Sequence, residues 1–114
     1  MYDDNCVFCK IIAGQIPAGK VYEDDLIFAF HDINPAAPTH ILFTPKIHME
    51  SLDSVNPSNI KYVSRILEKI PGIAASFGIA GGYRAVTNTG ENGGQSVPHL
   101  HFHLLGGRKL GLLG

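Results

Sequence analysis

The chain has 114 residues, enough for one domain over residues 1–114, and its apolar fraction of 45% is that of a protein with an ordinary core. With 9 Lys and Arg against 10 Asp and Glu the net charge is -1, without the basic excess that polynucleotide binding needs, and no apolar run approaches a membrane span. The acidic opening Met1-Tyr2-Asp3-Asp4-Asn5 does not resemble a secretory or transit signal, so the expected compartment is the reducing cytoplasm, where the 2 Cys form no structural disulfide.

Residues 6–13 are good helix-forming or apolar sequence closed by Gly14, and predict a short helix. Pro17 and Gly19 mark a turn. Val21-Tyr22-Glu23 reads as a short strand, and residues 26–31 as a second that ends at Asp32. Two prolines make Asn34-Pro35-Ala36-Ala37-Pro38 irregular, and residues 40–44 form a third strand stopped by Pro45. Asn56 or Ser58 caps a helix starting near Pro57, in which Ile60, Val63, Ile66, Leu67 and Ile70 recur at helical spacing as one buried stripe. Pro71-Gly72 is expected to kink or interrupt it, with residues 73–77 resuming it before Gly78. Residues 83–88 form a fourth strand, residues 89–98 a glycine-bearing loop, and residues 99–105 the last strand. Strands at both ends with the main helix between them indicate an α+β fold on an antiparallel sheet.

On that last strand His99, His101 and His103 alternate with Leu100, Phe102 and Leu104. Alternation puts three imidazoles on one face and three large apolar side chains on the other. A half-buried strand that merely happens to carry histidines is a poor account of three among 6. Two chemistries suit the arrangement: a zinc-like metal site, or acid–base and nucleophilic work by a ring that titrates near neutrality. The preceding loop, Asn88-Thr89-Gly90-Glu91-Asn92-Gly93-Gly94-Gln95-Ser96, favours the second, because glycines let backbone N–H groups converge on phosphate oxygens. By itself it would be a plain hairpin loop.

His99-Leu100-His101-Phe102-His103-Leu104-Leu105 resembles the His-x-His-x-His-x-x signature of the histidine triad superfamily. So do Lys10-Ile11-Ile12-Ala13-Gly14-Gln15-Ile16-Pro17, Phe30-His31-Asp32-Ile33-Asn34-Pro35 with Pro38-Thr39-His40, and Gly93-Gly94-Gln95-Ser96-Val97. Their order is similar to the histidine triad nucleotide-binding branch, in its bacterial form. The resemblance implies a sheet of about five antiparallel strands with two helices, continued across a homodimer. It also implies a hydrolase that cleaves nucleoside 5′-phosphoramidates, such as adenosine 5′-monophosphoramidate and aminoacyl adenylates, at the α-phosphate through a nucleotidyl-histidine, without a catalytic metal.

Residue by residue, the resemblance makes His101 the nucleophile, His103 a donor to phosphate or leaving-group oxygens, His99 a supporting member and Ser96 an aid to amine departure. Asn88, Gly94, Gln95, Ser96 and Val97 fall in the phosphate-binding stretch, and Asp32 matches the carboxylate that accepts the ribose hydroxyls. As a residue without the family, Asp32 is a turn or cap ahead of Asn34-Pro35. Val7, Phe8, Ile11, Ile16, Phe30, His31 and Ile33 match the walls around a purine base, and His40 a histidine near the triad. Relatives pair a Cys-x-x-Cys with a Pro-x-x-His histidine and the first triad histidine, which makes Cys6, Cys9, His48 and His99 a structural zinc site here; the alternative is a pair of reduced cysteines without metal. The tail Leu110-Gly111-Leu112-Leu113-Gly114 lacks the Trp-Pro ending of animal-type members, which leaves the leaving group open. The competing function is a regulatory nucleotide-binding module; a catalytic zinc centre and a nucleotide transferase stand behind it.

Overall fold

The computed structural model describes residues 5–113; the acidic start at 1–4 and Gly114 lie outside the described residues. The elements are α1 (Val7–Ile12), β1 (Lys20–Glu23), β2 (Ile27–His31), β3 (Thr39–Pro45), α2 (Ile60–Ser76), β4 (Tyr83–Val86) and β5 (Phe102–Gly106). The five strands form one sheet in the order β1-β2-β3-β5-β4, with every neighbouring pair antiparallel. The α+β architecture of five antiparallel strands and two helices is therefore the one expected.

The sheet is covered on both faces. Ile27 and Ala29 of β2, Ile41 and Phe43 of β3, and Phe102 and Leu104 of β5 pack with Val63, Ile66, Ile70 and Ala74 of α2. Phe28, Phe30 and Leu42 point the other way and pack with Cys6, Phe8 and Cys9 at α1. Strands buried on both sides need continuous apolar runs, which is why β2 and β3 read as such. Leu42 pairs with His103, so the α1 face is the one that receives histidines.

Three expectations are corrected. First, α2 runs unbroken through Pro71. Pro71 and Gly72 are exposed, and the carbonyl left without its i+4 donor belongs to the exposed Leu67. A buried aliphatic side chain contributes about 2 kcal/mol, and three of them on α2 outweigh the roughly 3 kcal/mol that a mid-helix proline costs. Second, Leu67 and Ile60 are exposed and Ala74 takes their place in the stripe; the helix starts at Ile60, and Asn56 caps the turn before it by accepting from the Ser58 and Asn59 N–H groups. Third, regular pairing in the last strand begins only at Phe102, because the N–H of Leu100 donates to the carbonyl of Met49 and that of His99 to Val97. The alternation of side chains survives: Leu100, Phe102 and Leu104 are all buried in the α2-side core.

Candidate active site

His101 is buried, and its Nδ1 lies 2.7 Å from the carbonyl oxygen of His99. A carbonyl only accepts, so Nδ1 carries the proton and the Nε2 lone pair is free. Burial is the main cause that pulls the pKa of His101 below the usual imidazole value, so the ring is neutral near pH 7. A buried, neutral imidazole with a fixed tautomer is what an attack on phosphorus requires.

His103 is oriented by a second chain of bonds. The backbone N–H of Ala36 donates to Nδ1 of His40 at 3.0 Å, which puts the His40 proton on Nε2. That N–H meets Nδ1 of His103 at 2.9 Å, with Asp32 Oδ2 at 3.4 Å. His103 thereby keeps its own proton on Nε2, as a donor. Burial holds both rings neutral: it lowers His40 and, with the neighbouring His101 and His40, brings His103 down to about 4. Asp32, His40 and His103 also present ligand atoms close enough for a metal, but the hydrogen bonds engage both nitrogens of His40. Oδ1 of Asp32 accepts the N–H of Asn34 at 2.8 Å, the turn role open to it from sequence, and Oδ2 faces His40.

The ligand atoms of Cys6, Cys9, His48 and His99 lie within 4.8 Å of one another, a set that could hold a metal ion. His99 Nδ1 is 3.1 Å from Cys6 Sγ and 3.5 Å from Cys9 Sγ, and His48 Nδ1 is 3.5 Å from Cys9 Sγ. The Nε2–H of His99 donates to the carbonyl of Pro45 at 3.0 Å, which turns the Nδ1 lone pair toward the thiols. Burial lowers His99 to about 4 and raises the Cys6 thiol to about 11, so this imidazole and this thiol are both neutral near pH 7. Two thiols and two imidazoles at these separations fit a tetrahedral divalent cation.

All seven residues read as base walls, Val7, Phe8, Ile11, Ile16, Phe30, His31 and Ile33, line one cavity of about 270 Å³ together with Pro17 and Ala18. Phe8 joins this cavity to the histidines, with ring centroids 5.5 Å from Phe30 and 5.0 Å from His101. The loop before His99 turns at Gly90 and Gly94, whose φ values of +70° and +85° suit glycine alone. Gly94, Ser96 and the half-buried Asn88, Gln95 and Val97 all belong to it.

Sequence reasoning missed Thr87, whose hydroxyl donates to the His101 carbonyl at 2.7 Å, and the backbone groups of Ala36 and Pro45 that set two tautomers. A threonine one residue past a strand end carries no distinguishing signal, and backbone groups carry none at all.

Fold and site together define a five-stranded antiparallel α+β protein whose alternating imidazoles adjoin an apolar cavity through Phe8 and follow a glycine-rich loop in the chain. A model of the HIT domain matches residues 13–110. The purine nucleoside phosphoramidase of Escherichia coli strain K12 is 46% identical over 109 residues, which cover 95% of this chain and 92% of that protein. Among solved structures, a HIT family hydrolase from Legionella pneumophila superimposes with a TM-score of 0.89 at 47% identity, over 92% of this chain and 95% of that one. A histidine triad protein from Clostridium difficile does so with a TM-score of 0.94 at 46% identity over 100% of both. The chain belongs to the HIT family.

Proposed function

We propose that this chain is a hydrolase of purine nucleoside 5′-phosphoramidates that works through a nucleotidyl intermediate on His101. The observation that carries the reading is the 2.7 Å bond from His101 Nδ1–H to the His99 carbonyl, which leaves Nε2 as a nucleophile in a buried site. A HIT family hydrolase of closely similar fold and a purine nucleoside phosphoramidase of 46% sequence identity support the class of reaction.

In the first step Nε2 bonds to the α-phosphorus as the P–N bond to the leaving group breaks, and the amine departs with a proton that Ser96 delivers. Water then attacks the same phosphorus, one of its protons restores the Ser96 hydroxyl, the bond to Nε2 breaks, and the nucleoside monophosphate leaves with the imidazole neutral again. His103 Nε2–H donates to the phosphoryl oxygens, where charge grows in the transition state. Asp32 accepts from the ribose hydroxyls, the cavity of Phe8, Ile11, Ile16, Phe30, His31 and Ile33 takes the base, and Asn88 with the Gly94 and Val97 amides holds phosphate. Gln95 completes that loop.

Zinc is the ion assigned to Cys6, Cys9, His48 and His99; bound there it supplies structural cross-linking, with all four positions filled by protein. The chain works as one domain over residues 1–114, as a homodimer with its sheet continued across the interface, in the cytoplasm. Among the described residues no helix is long and apolar enough to cross a membrane.

The test is to incubate the protein with adenosine 5′-monophosphoramidate, quench under denaturing, non-acidic conditions, and map the adduct by peptide mass spectrometry. AMP on the peptide carrying His101 is the expected result. Turnover with no adduct there, or with an adduct on another residue, rejects the covalent route.

A further inference from the structure

We propose that Gln95 is the positioning residue of the glycine-rich loop: its carboxamide braces the loop from within and acts on nucleotide binding without touching the nucleotide. The inference rests on the reading of this loop as the phosphate site.

The Gln95 carboxamide is fully engaged. Its Nε2 donates to the carbonyl of Glu50 at 2.6 Å and to that of Val97 at 2.9 Å, while Oε1 accepts the N–H of Gly90 at 2.9 Å. Both Nε2 protons are used, so no donor is left for a phosphate, and an acceptor oxygen has nothing to offer an anion. The backbone repeats the closure, since the N–H of Gln95 donates to the carbonyl of Gly90 at 3.0 Å. Gly90 and Gln95 are therefore clamped by two bonds in opposite directions, and the residues between them form a closed ring.

Inside the ring two short turn bonds, Gly93 N–H to the Gly90 carbonyl at 3.2 Å and Gly94 N–H to that of Glu91 at 3.0 Å, shape the backbone but tie it to nothing outside. Residues 90–94 and Ser96 are exposed, and among the described residues the loop adds only Val97 to an apolar cluster, at its margin. Ordering such glycine-rich backbone is entropically costly, and the Gln95 side chain adds to the turn bonds the polar stitching that fastens the loop to the Glu50 carbonyl.

The brace also has a direction. The Val97 carbonyl takes bonds from both Gln95 Nε2 and the His99 N–H, which fixes the peptide plane just ahead of the histidines. The Glu50 carbonyl follows that of Met49, which accepts the N–H of Leu100 at 2.6 Å. Gln95 and Leu100 thus grip consecutive carbonyls of the segment that carries His48, so loop and last strand are referenced to one strap. Loss of the brace leaves the phosphate-facing amides only part of the time in register, and apparent affinity falls by that fraction.

The experiment compares the full chain with Gln95→Met, which keeps length without polar atoms, and Gln95→Glu, which keeps an acceptor for Gly90 but loses both donations. Amide hydrogen exchange of Gly90 and Gln95 in nucleotide-free protein should accelerate about tenfold or more in Gln95→Met. With adenosine phosphoramidate, KM should rise about tenfold while kcat stays within about threefold, with Gln95→Glu affected in the same sense. Unchanged exchange with a raised KM makes Gln95 a direct ligand and overturns the proposal. A lower melting temperature with reduced kcat and unchanged KM makes its role merely structural and also overturns it. Failure of the unaltered protein to bind AMP defeats the nucleotide reading separately, and the exchange measurement then decides the brace alone.

Discussion

The backbone of His99 holds the ring of His101, while the ring of His99 faces Cys6: the carbonyl accepts from His101 Nδ1 at 2.7 Å and the imidazole lies 3.1 Å from the Cys6 sulfur. One residue thus sets the tautomer of the proposed nucleophile and belongs to the cluster that could hold a metal ion. Replacing His101 by Asn removes the proposed nucleophile and changes none of the residues that line the cavity. Turnover of adenosine phosphoramidate should fall by at least about 10⁴-fold. AMP affinity, measured by calorimetry, should stay within about tenfold of the unaltered protein. Appreciable residual turnover would place the chemistry on another group.

The cage predicts its own consequence. Protein purified without added zinc should contain about one ion per chain, and Cys9→Ala should contain none. Cys9 is the better choice, since the Cys6 sulfur also caps α1 by accepting the Cys9 N–H. A strong chelator should lower the melting temperature of the unaltered protein by about 10 °C or more and leave that of Cys9→Ala unchanged. A metal-free preparation with the full melting temperature would reject the site.

Period-two alternation is visible in any sequence, and so Leu100, Phe102 and Leu104 could be assigned to the core and the three histidines to one face without coordinates. The seven wall residues were legible only through resemblance, because Val7 and Ile33 on one hand and Phe30 on the other share no burial class. What stayed hidden was carried by the backbone: the Ala36 N–H and the Pro45, Glu50 and His99 carbonyls determine which nitrogen of each histidine carries a proton and where Gln95 points. Peptide groups are the same in every residue, so only the fold reveals their direction. Pro71 misled for the converse reason: local propensity was strong, and tertiary packing was stronger.

Ile33 separates binding from folding. It lines the cavity yet is 89% exposed, so truncation removes almost nothing from the core. Ile33→Ala should change stability by less than about 0.5 kcal/mol. A base stacked over it would lose about 1 kcal/mol of apolar burial, so the Kd for AMP should rise about fivefold. An unchanged Kd would mean that the base lies elsewhere.

Asp24 ties the β1–β2 turn to α2 and should govern behaviour in acid. Burial alone would raise its pKa, but bonds from Tyr22 Oη–H, the Leu26 N–H, Arg65 Nη1–H and the Ile27 N–H outweigh it and hold the carboxyl well below the usual carboxylate range. A group whose pKa is depressed by folding stabilises the protein above its unfolded value, near 3.9, and loses that contribution as pH falls toward the folded value. Asp24→Ala should therefore cost about 2 kcal/mol at pH 7 in denaturant titrations, and progressively less below pH 4. A penalty that stays constant down to pH 2 would show that the charge is not responsible.

Pro71 offers a gain where sequence suggested a break. Its ring leaves the carbonyl of Leu67 without an intrahelical donor, on the exposed side of a helix anchored by Ile66, Ile70 and Ala74. Alanine there restores the N–H and carries the better helix propensity, worth up to about 3 kcal/mol. Against this stands the freedom that proline removes from the unfolded chain, about 1 kcal/mol at most. Pro71→Ala should thus stabilise the protein by about 1–2 kcal/mol, read as a higher denaturation midpoint at constant slope, with kcat and KM unaltered because the site lies on the other face of the sheet. A lower midpoint would show that Pro71 relieves a strain in α2 that continuous helical pairing would impose.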